Sequence, residues 1–232
     1  WVGLSQHDGG YAEFLLVPHE RYLVKLHQLT PIIAAPLTDA ALTPYRAIKK
    51  AMPFLQPEHA ALVIGLGGLG QYGVKLLRLL TGSQVVVVDT SEDKLRLARA
   101  MGASHALSAY DPDLTAKIAE VTRGGPTAAF DFVGTDATLA LAIGATRSLG
   151  KVTQVGLAGG TAKLQVLRNA RFEVQFEATL WGTLQELREV LALAEDGRLT
   201  PIDTEAAPLD QINDVYRRVK AGTVAGRIVI VP

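Results

Sequence analysis

The sequence predicts an α/β protein built on a doubly wound parallel sheet, and three observations carry that prediction. Short apolar runs alternate with amphipathic stretches from residue 60 to residue 155. One of those runs, Val85 to Val88, is pure valine, as suits a strand buried on both faces beneath helices. The first run leads through a glycine-rich turn into a helix-like stretch, the order expected of a βαβ unit.

The elements follow in order. Ala60 to Gly65 is the first strand, and Gln71 to Leu80 is a helix with apolar Val74, Leu76, Leu77, Leu79 and Leu80. Gln84 to Asp89 is the second strand. Ser91 to Met101 is a helix whose N-cap is Ser91, with Glu92 and Asp93 in the first turn and Gly102 just beyond its end. Ser104 to Leu107 is a short strand, Asp113 to Thr122 a helix closed by Gly124 and Gly125, and Ala128 to Val133 a strand. Asp136 to Leu149 is a helix stopped by Gly150, followed by the strand Lys151 to Val155. The flanks differ. Before residue 40 lie Pro18, Pro31 and Pro36, with β-like pieces at Tyr11 to Val17 and Tyr22 to Leu26 that read as the tail of a β-rich unit. After Val155 a strand is expected at Phe172 to Phe176, helices at Thr183 to Ala194 and Leu209 to Lys220, and a closing strand at Arg227 to Val231.

At roughly 150 residues per domain, 232 residues hold about one and a half domains. Lys plus Arg and Asp plus Glu number 23 each, so the chain is formally neutral. A neutral chain without a basic block gives no electrostatic footprint for nucleic acid or an anionic membrane, which points to a small-molecule partner. Cysteine is absent, which excludes a disulfide, a thiolate nucleophile or Cys-ligated zinc within these residues. The apolar runs fall short of the ~20 residues that cross a bilayer. No secretory signal pattern opens the chain, so the cytoplasm is expected. It begins with Trp1 instead of Met, as a fragment of a longer protein would.

Gly65-Leu66-Gly67-Gly68-Leu69-Gly70 fits G-x-G-x-x-G, and its context strengthens the match: it follows a strand, opens a helix, and is followed by a strand ending in Asp89. Gly65 permits the tight turn, Gly67 lets a pyrophosphate approach the backbone, and Gly70 allows close packing of helix on strand. The helix N-terminus then meets the phosphates with free N–H groups. Asp89 is placed to accept from the adenosine ribose hydroxyls, and a 2′-phosphate there would face a like charge. Thr90 and Ser91 bring no Arg to clamp such a phosphate, so NAD is expected over NADP. Lys94 is within reach of the same ribose, or lies on a solvated helix face. Together these signs specify a Rossmann dinucleotide site.

The motifs Gly10-Tyr11-Ala12-Glu13-Phe14, Pro36-Leu37-Thr38-Asp39-Ala40-Ala41-Leu42-Thr43-Pro44-Tyr45, Val63 to Gly70, Asp131-Phe132-Val133-Gly134 and Gly226-Arg227-Ile228-Val229 run the length of the chain. In that order the chain resembles the medium-chain, zinc-dependent alcohol dehydrogenases, and most the bacterial secondary-alcohol type that carries Asp as a catalytic zinc ligand. The resemblance implies a GroES-like β-rich catalytic domain with residues 1–39 as its tail, an NAD-binding Rossmann domain over 40–180, and a segment over 181–232 that returns to the catalytic domain. It implies Asp39 as a zinc ligand and Thr43 beside the nicotinamide. It implies cofactor contacts from Gly65, Gly67, Gly68, Leu69 and Gly70, and from Asp89 and Lys94. Phe132 and Val133 would pass the adenine side and nicotinamide ribose, Val155, Gly156 and Leu157 would meet the carboxamide, Trp181 would line the cleft, and Arg227 would reach the pyrophosphate.

Asp39 also has a plainer reading, as a cap for a helix over Ala40 to Lys50. Zinc needs three protein ligands and an open position. The family's cysteine and histidine ligands have no counterpart by motif among these residues, so zinc is expected only if they lie before Trp1. His7, His19, His27, His59 and His105 show no ligand spacing and read as surface or turn residues. The implied activity is zinc-assisted hydride transfer between an alcohol or ketone and NAD, in a homodimer or homotetramer. Two alternatives stay open: an NAD-binding module without dehydrogenase activity, and a zinc-free carbonyl reductase.

Overall fold

A computed structural model describes residues 8–164 and 173–232. After a 3₁₀ turn at Glu20–Tyr22 come α1 (Pro31–Ala34), a 3₁₀ turn at Ala35–Thr38 and α2 (Leu42–Ala51). Then follow β1 (Ala60–Ile64), α3 (Gly68–Leu80), β2 (Gln84–Asp89), α4 (Glu92–Ala100), β3 (His105–Ser108) and α5 (Leu114–Val121). The chain continues through β4 (Ala128–Asp131), α6 (Asp136–Ala145), β5 (Lys151–Gln154), β6 (Gln175–Ala178) and α7 (Leu184–Glu195). It ends with β7 (Thr204–Pro208), α8 (Ile212–Lys220) and β8 (Arg227–Val231).

The six strands β1 to β6 form one parallel sheet in the order β3-β2-β1-β4-β5-β6. Successive residues of a strand point to opposite faces, and both faces are dry. Ala61, Val63, Val85, Val87 and Phe130 pack beneath α2 and α3. Leu62, Ile64, Val86, Val88 and Ala129 pack with Leu114, Ile118 and Ala142 of α5 and α6. The chain winds outward from β1 in one direction and from β4 in the other, so a crevice opens where β1 and β4 lie side by side. Open sheets of this kind bind ligands at that switch point.

The last three elements form a parallel βαβ unit, β7 and β8 pairing from Thr204 with Arg227 to Pro208 with Val231. The sequence reading missed β7, because Thr204-Glu-Ala-Ala-Pro lacks an aliphatic run and ends in proline. Several boundaries also shift. Helix α3 starts at Gly68 instead of Gln71: Gln71 N–H donates to Gly67 O at 2.9 Å, closing a first turn made of residues with no apolar period to announce it. Helix α6 ends at Ala145, four residues short of the expected Leu149: Thr146 turns extended and its hydroxyl donates to Ala142 O at 2.7 Å. The β-like pieces at Tyr11 to Val17 and Tyr22 to Leu26 are not strands; a strand needs a ladder partner, and the described residues provide none. Of the strand expected at Phe172 to Phe176, Phe172 lies outside the described residues and the observed strand covers Gln175–Ala178. Among the described residues no helix is long and apolar enough to cross a membrane.

Candidate functional site

At the switch point, Gly65 turns with φ +87°, a left-handed conformation that glycine takes without steric cost, and a Cβ there would overlap Val133. Its N–H donates to Val88 O at 2.8 Å, tying the turn to the neighbouring strand. Leu66 N–H donates to Asp89 Oδ2 at 2.7 Å, and Ser91 N–H to Asp89 Oδ1 at 3.0 Å. Asp89 is therefore buried and held at the end of β2, with lone pairs on both oxygens still available to a ligand. Leu69 is half-buried beside the turn.

Gly67 is the N-cap of α3 and provides no side-chain acceptor for the first N–H groups of the helix. Gly67 is exposed, and nothing lies within 4 Å of where its Cβ would stand. The result is an open, donor-lined cradle at the positive end of a helix, the arrangement that receives phosphate. Gly70 packs against Gly65 O, so α3 approaches β1 closely. The Arg227 guanidinium lies against Gly68 in the first turn of α3, where a Cβ would overlap it. Burial pushes its pKa down, and Asp39 and Tyr72 push it back up. A cation beside the positive end of a helix is itself destabilised until an anion joins it.

Across the crevice Phe132 stacks on Phe130, ring centroids 6.4 Å apart, and its ring reaches Gly73 of α3. Asp131, fully buried, bends the chain after β4 by accepting Val133 N–H at 2.9 Å and Gly134 N–H at 3.0 Å on one oxygen. At the end of β5, Val155 and Gly156 both donate to Asp131 O at 2.9 Å, which commits these two N–H groups, while Leu157 is 74% exposed. Lys94 lies half-buried in the first turn of α4, its N–H capped by Ser91 Oγ.

Asp39 and Thr43 come together at the start of α2. Thr43, buried, donates its hydroxyl to Asp39 Oδ1 at 3.0 Å and its N–H to Asp39 O at 2.9 Å. The N-cap of α2 is Ala41, with no side-chain cap, so the Asp39 carboxylate serves the Thr43 hydroxyl instead of the helix. Trp181, half-buried with φ +50°, precedes Gly182, where a Cβ would overlap Leu42 of α2. Among the described residues no group of three or more His, Cys, Asp and Glu could hold a metal ion. His19 caps the turn at Glu20–Tyr22 and the His59 ring engages Phe54 O and Gln56 N, both in turns, whereas His105 is the half-buried first residue of β3 instead of a surface or turn residue.

Sequence reasoning missed three residues of α3. Gln71 Nε2 donates to Ala225 O at 2.7 Å, the Tyr72 hydroxyl accepts Ile202 N–H at 3.4 Å, and Lys75 Nζ donates to Thr200 Oγ1 at 2.7 Å. The only signal was the placement of polar Gln71 and Lys75 beside the glycine turn, and their partners are more than a hundred residues away.

Residues 68–196 match the family model described as zinc-binding dehydrogenase. The chain is 34% identical over 234 residues to an NAD-dependent alcohol dehydrogenase of Sulfurisphaera tokodaii, covering 100% of this chain and 67% of that protein. It is 36% identical to a protein of the same name from Sulfolobus acidocaldarius, over 99% of this chain and 66% of that one. Among solved structures, the alcohol dehydrogenase of Aeropyrum pernix superposes with a TM-score of 0.91 at 38% identity, covering 97% of this chain and 66% of that chain. The chain thus spans about two thirds of the length of these relatives.

Proposed function

Because the chain belongs to the zinc-binding dehydrogenase family, we propose that it is the cofactor-binding part of an NAD-dependent alcohol dehydrogenase that interconverts a small alcohol, of the secondary type, and its ketone. The observation that carries this reading is the pairing of a donor-lined helix start with an acidic strand end, Gly67 and Gly68 on one side and Asp89 on the other. When bound there, NAD supplies a nicotinamide ring that accepts hydride from the alcohol carbon.

In this reading Asp89 accepts from the adenosine ribose hydroxyls, with Lys94 beside it. The first N–H groups of α3 and the Arg227 guanidinium hold the pyrophosphate, a planar fork meeting paired oxygens. Phe132, Val133, Trp181 and the Val155 to Leu157 backbone line the nicotinamide half and keep water from it. Thr43 stands beside the nicotinamide, its hydroxyl fixed by Asp39. Asp39 offers one carboxylate to a metal, and a catalytic zinc takes three protein ligands. The described residues do not by themselves fit such a site.

Residues 1–39 and 181–232 would then serve the catalytic domain and 40–180 the cofactor domain. The exposed edge strand β6 would join subunits of a homodimer or homotetramer, in the cytoplasm. Titration of the protein with NAD and with NADP tests the cofactor assignment. NAD is expected to bind the more tightly, and equal binding of the two, or binding of neither, would overturn it.

A further inference from the structure

Gly68, Gln71, Tyr72 and Lys75 stand at i, i+3, i+4 and i+7, so they form one stripe along α3. A helix stripe that faces protein is normally apolar. This one is covered, with Gly68, Gln71 and Tyr72 buried and Lys75 half-buried, yet its polar groups all reach the two leads into β7 and β8. Gln71 Nε2 donates to Ala225 O at 2.7 Å, two residues before Arg227. Lys75 Nζ donates to Thr200 Oγ1 at 2.7 Å and to Thr200 O and Pro201 O at 3.1 Å, and Tyr72 accepts Ile202 N–H. The next residue, Asp203, accepts Arg227 N–H on its carbonyl at 3.0 Å. The start of β8 is thus held at two points, directly by Gln71 and through the lead into β7 by Lys75 and Tyr72. At the top of the stripe, Gly68 leaves the space that the Arg227 guanidinium fills.

We propose that this stripe is a positioning device that sets the Arg227 guanidinium over the first turn of α3, with Gln71 as its principal positioning residue and Gly68 as the vacancy that admits the guanidinium. The helix whose N-terminus faces the pyrophosphate therefore also places the cation that meets the same group. A long, flexible Arg at the start of a short strand would otherwise sample many rotamers, and ordering it in advance removes that cost from ligand binding. The proposal rests on the reading of Arg227 as a phosphate-binding residue.

The test compares affinities for NAD, ADP and adenosine in the protein and its Gln71→Met, Arg227→Ala, Gly68→Ala and Gln71→Met/Arg227→Ala variants. Methionine keeps the shape of Gln71 and removes its donor. Loss of one hydrogen bond's worth of positioning should weaken NAD and ADP by about threefold to tenfold and leave adenosine, which has no pyrophosphate, unchanged. That loss should vanish when Arg227 is already Ala. Gly68→Ala, which displaces only the far end of a flexible side chain, should give the same pyrophosphate-specific loss. Equal losses with and without Arg227, or an equal loss for adenosine, would show that Gln71 acts through general structure and would overturn the proposal. If Arg227→Ala weakens NAD while Gln71→Met and Gly68→Ala do not, the positioning device alone falls. If Arg227→Ala changes neither NAD nor ADP affinity, the phosphate reading of Arg227 falls and takes the device with it.

Discussion

Asp89 holds the Leu66 N–H with one carboxylate oxygen and the Ser91 N–H with the other, so the acid proposed to read the ribose also builds the turn that meets the phosphates. Asp89→Arg therefore does two things. It replaces a charge that repels a 2′-phosphate with one that attracts it, and it leaves a buried N–H without an acceptor, at a cost of about 1–3 kcal/mol in stability. The expected result is a lower melting temperature and weaker NAD binding, with the NADP-to-NAD affinity ratio raised by about tenfold or more, equivalent to about 1.4 kcal/mol. An unchanged ratio in a folded variant would remove Asp89 from cofactor choice. Asp39 shows the limit of reading single residues. A helix cap is open from its position and a metal ligand from the resemblance; the fold makes Ala41 the N-cap instead, and the Asp39 carboxylate takes the hydroxyl of Thr43, four residues on.

Helices α2 and α7 contact each other and share the core that contains Phe130, and charged groups join their outer edges. Arg46 pairs with Glu186 at 2.8 Å, Lys49 with Glu189 at 2.5 Å, and the Tyr45 hydroxyl donates to Glu189 at 2.7 Å. Burial alone would raise the Glu186 carboxyl, but the Thr183 N–H and Arg46 outweigh it and hold the group below its ordinary 4.5. Lys49, then Tyr45, holds Glu189 below the same value. A depressed carboxyl pKa gives stability that is complete above the unfolded value and is lost as pH falls through the folded one. The urea midpoint should therefore be insensitive to these two groups above pH 4.5 and fall below it. The Glu186→Gln/Glu189→Gln variant should show a shallower acid decline; an identical decline would mean the pairs contribute nothing. Most such pairs are exposed enough that the effect is expected to be modest.

On the scale of the whole molecule, much is legible in the sequence. Unbroken Val85 to Val88 and the glycine turn both report local demands, burial on two faces and backbone room, and the parallel sheet and switch point follow from them. What escaped was set by distant partners. Strand β7 is a strand because β8 runs beside it, not because Thr204-Glu-Ala-Ala-Pro favours extension. Tyr11 to Val17 has the composition of a strand and no ladder among the described residues to make it one. Gln71 gave no hint of Ala225, 154 residues later.

The βαβ unit that ends the fold has one further consequence. Among the described residues its two strands pair only with each other, and β8 is largely half-buried, so within this unit opening costs less than opening the six-stranded sheet. Arg227 is the first residue of β8, and each such opening carries the guanidinium away from α3. A ligand that needs Arg227 then acts as a latch, and local fluctuation and occupancy oppose one another. Amide hydrogens of Ile228 to Ile230 should exchange more slowly as NAD is added, by a factor that grows with its concentration above the dissociation constant, while those of Val85 to Val88 hardly change. Adenosine at matched occupancy should leave β8 unprotected. Cofactor binding would then be recorded as tightening in the β7–β8 pair rather than in the six-stranded sheet.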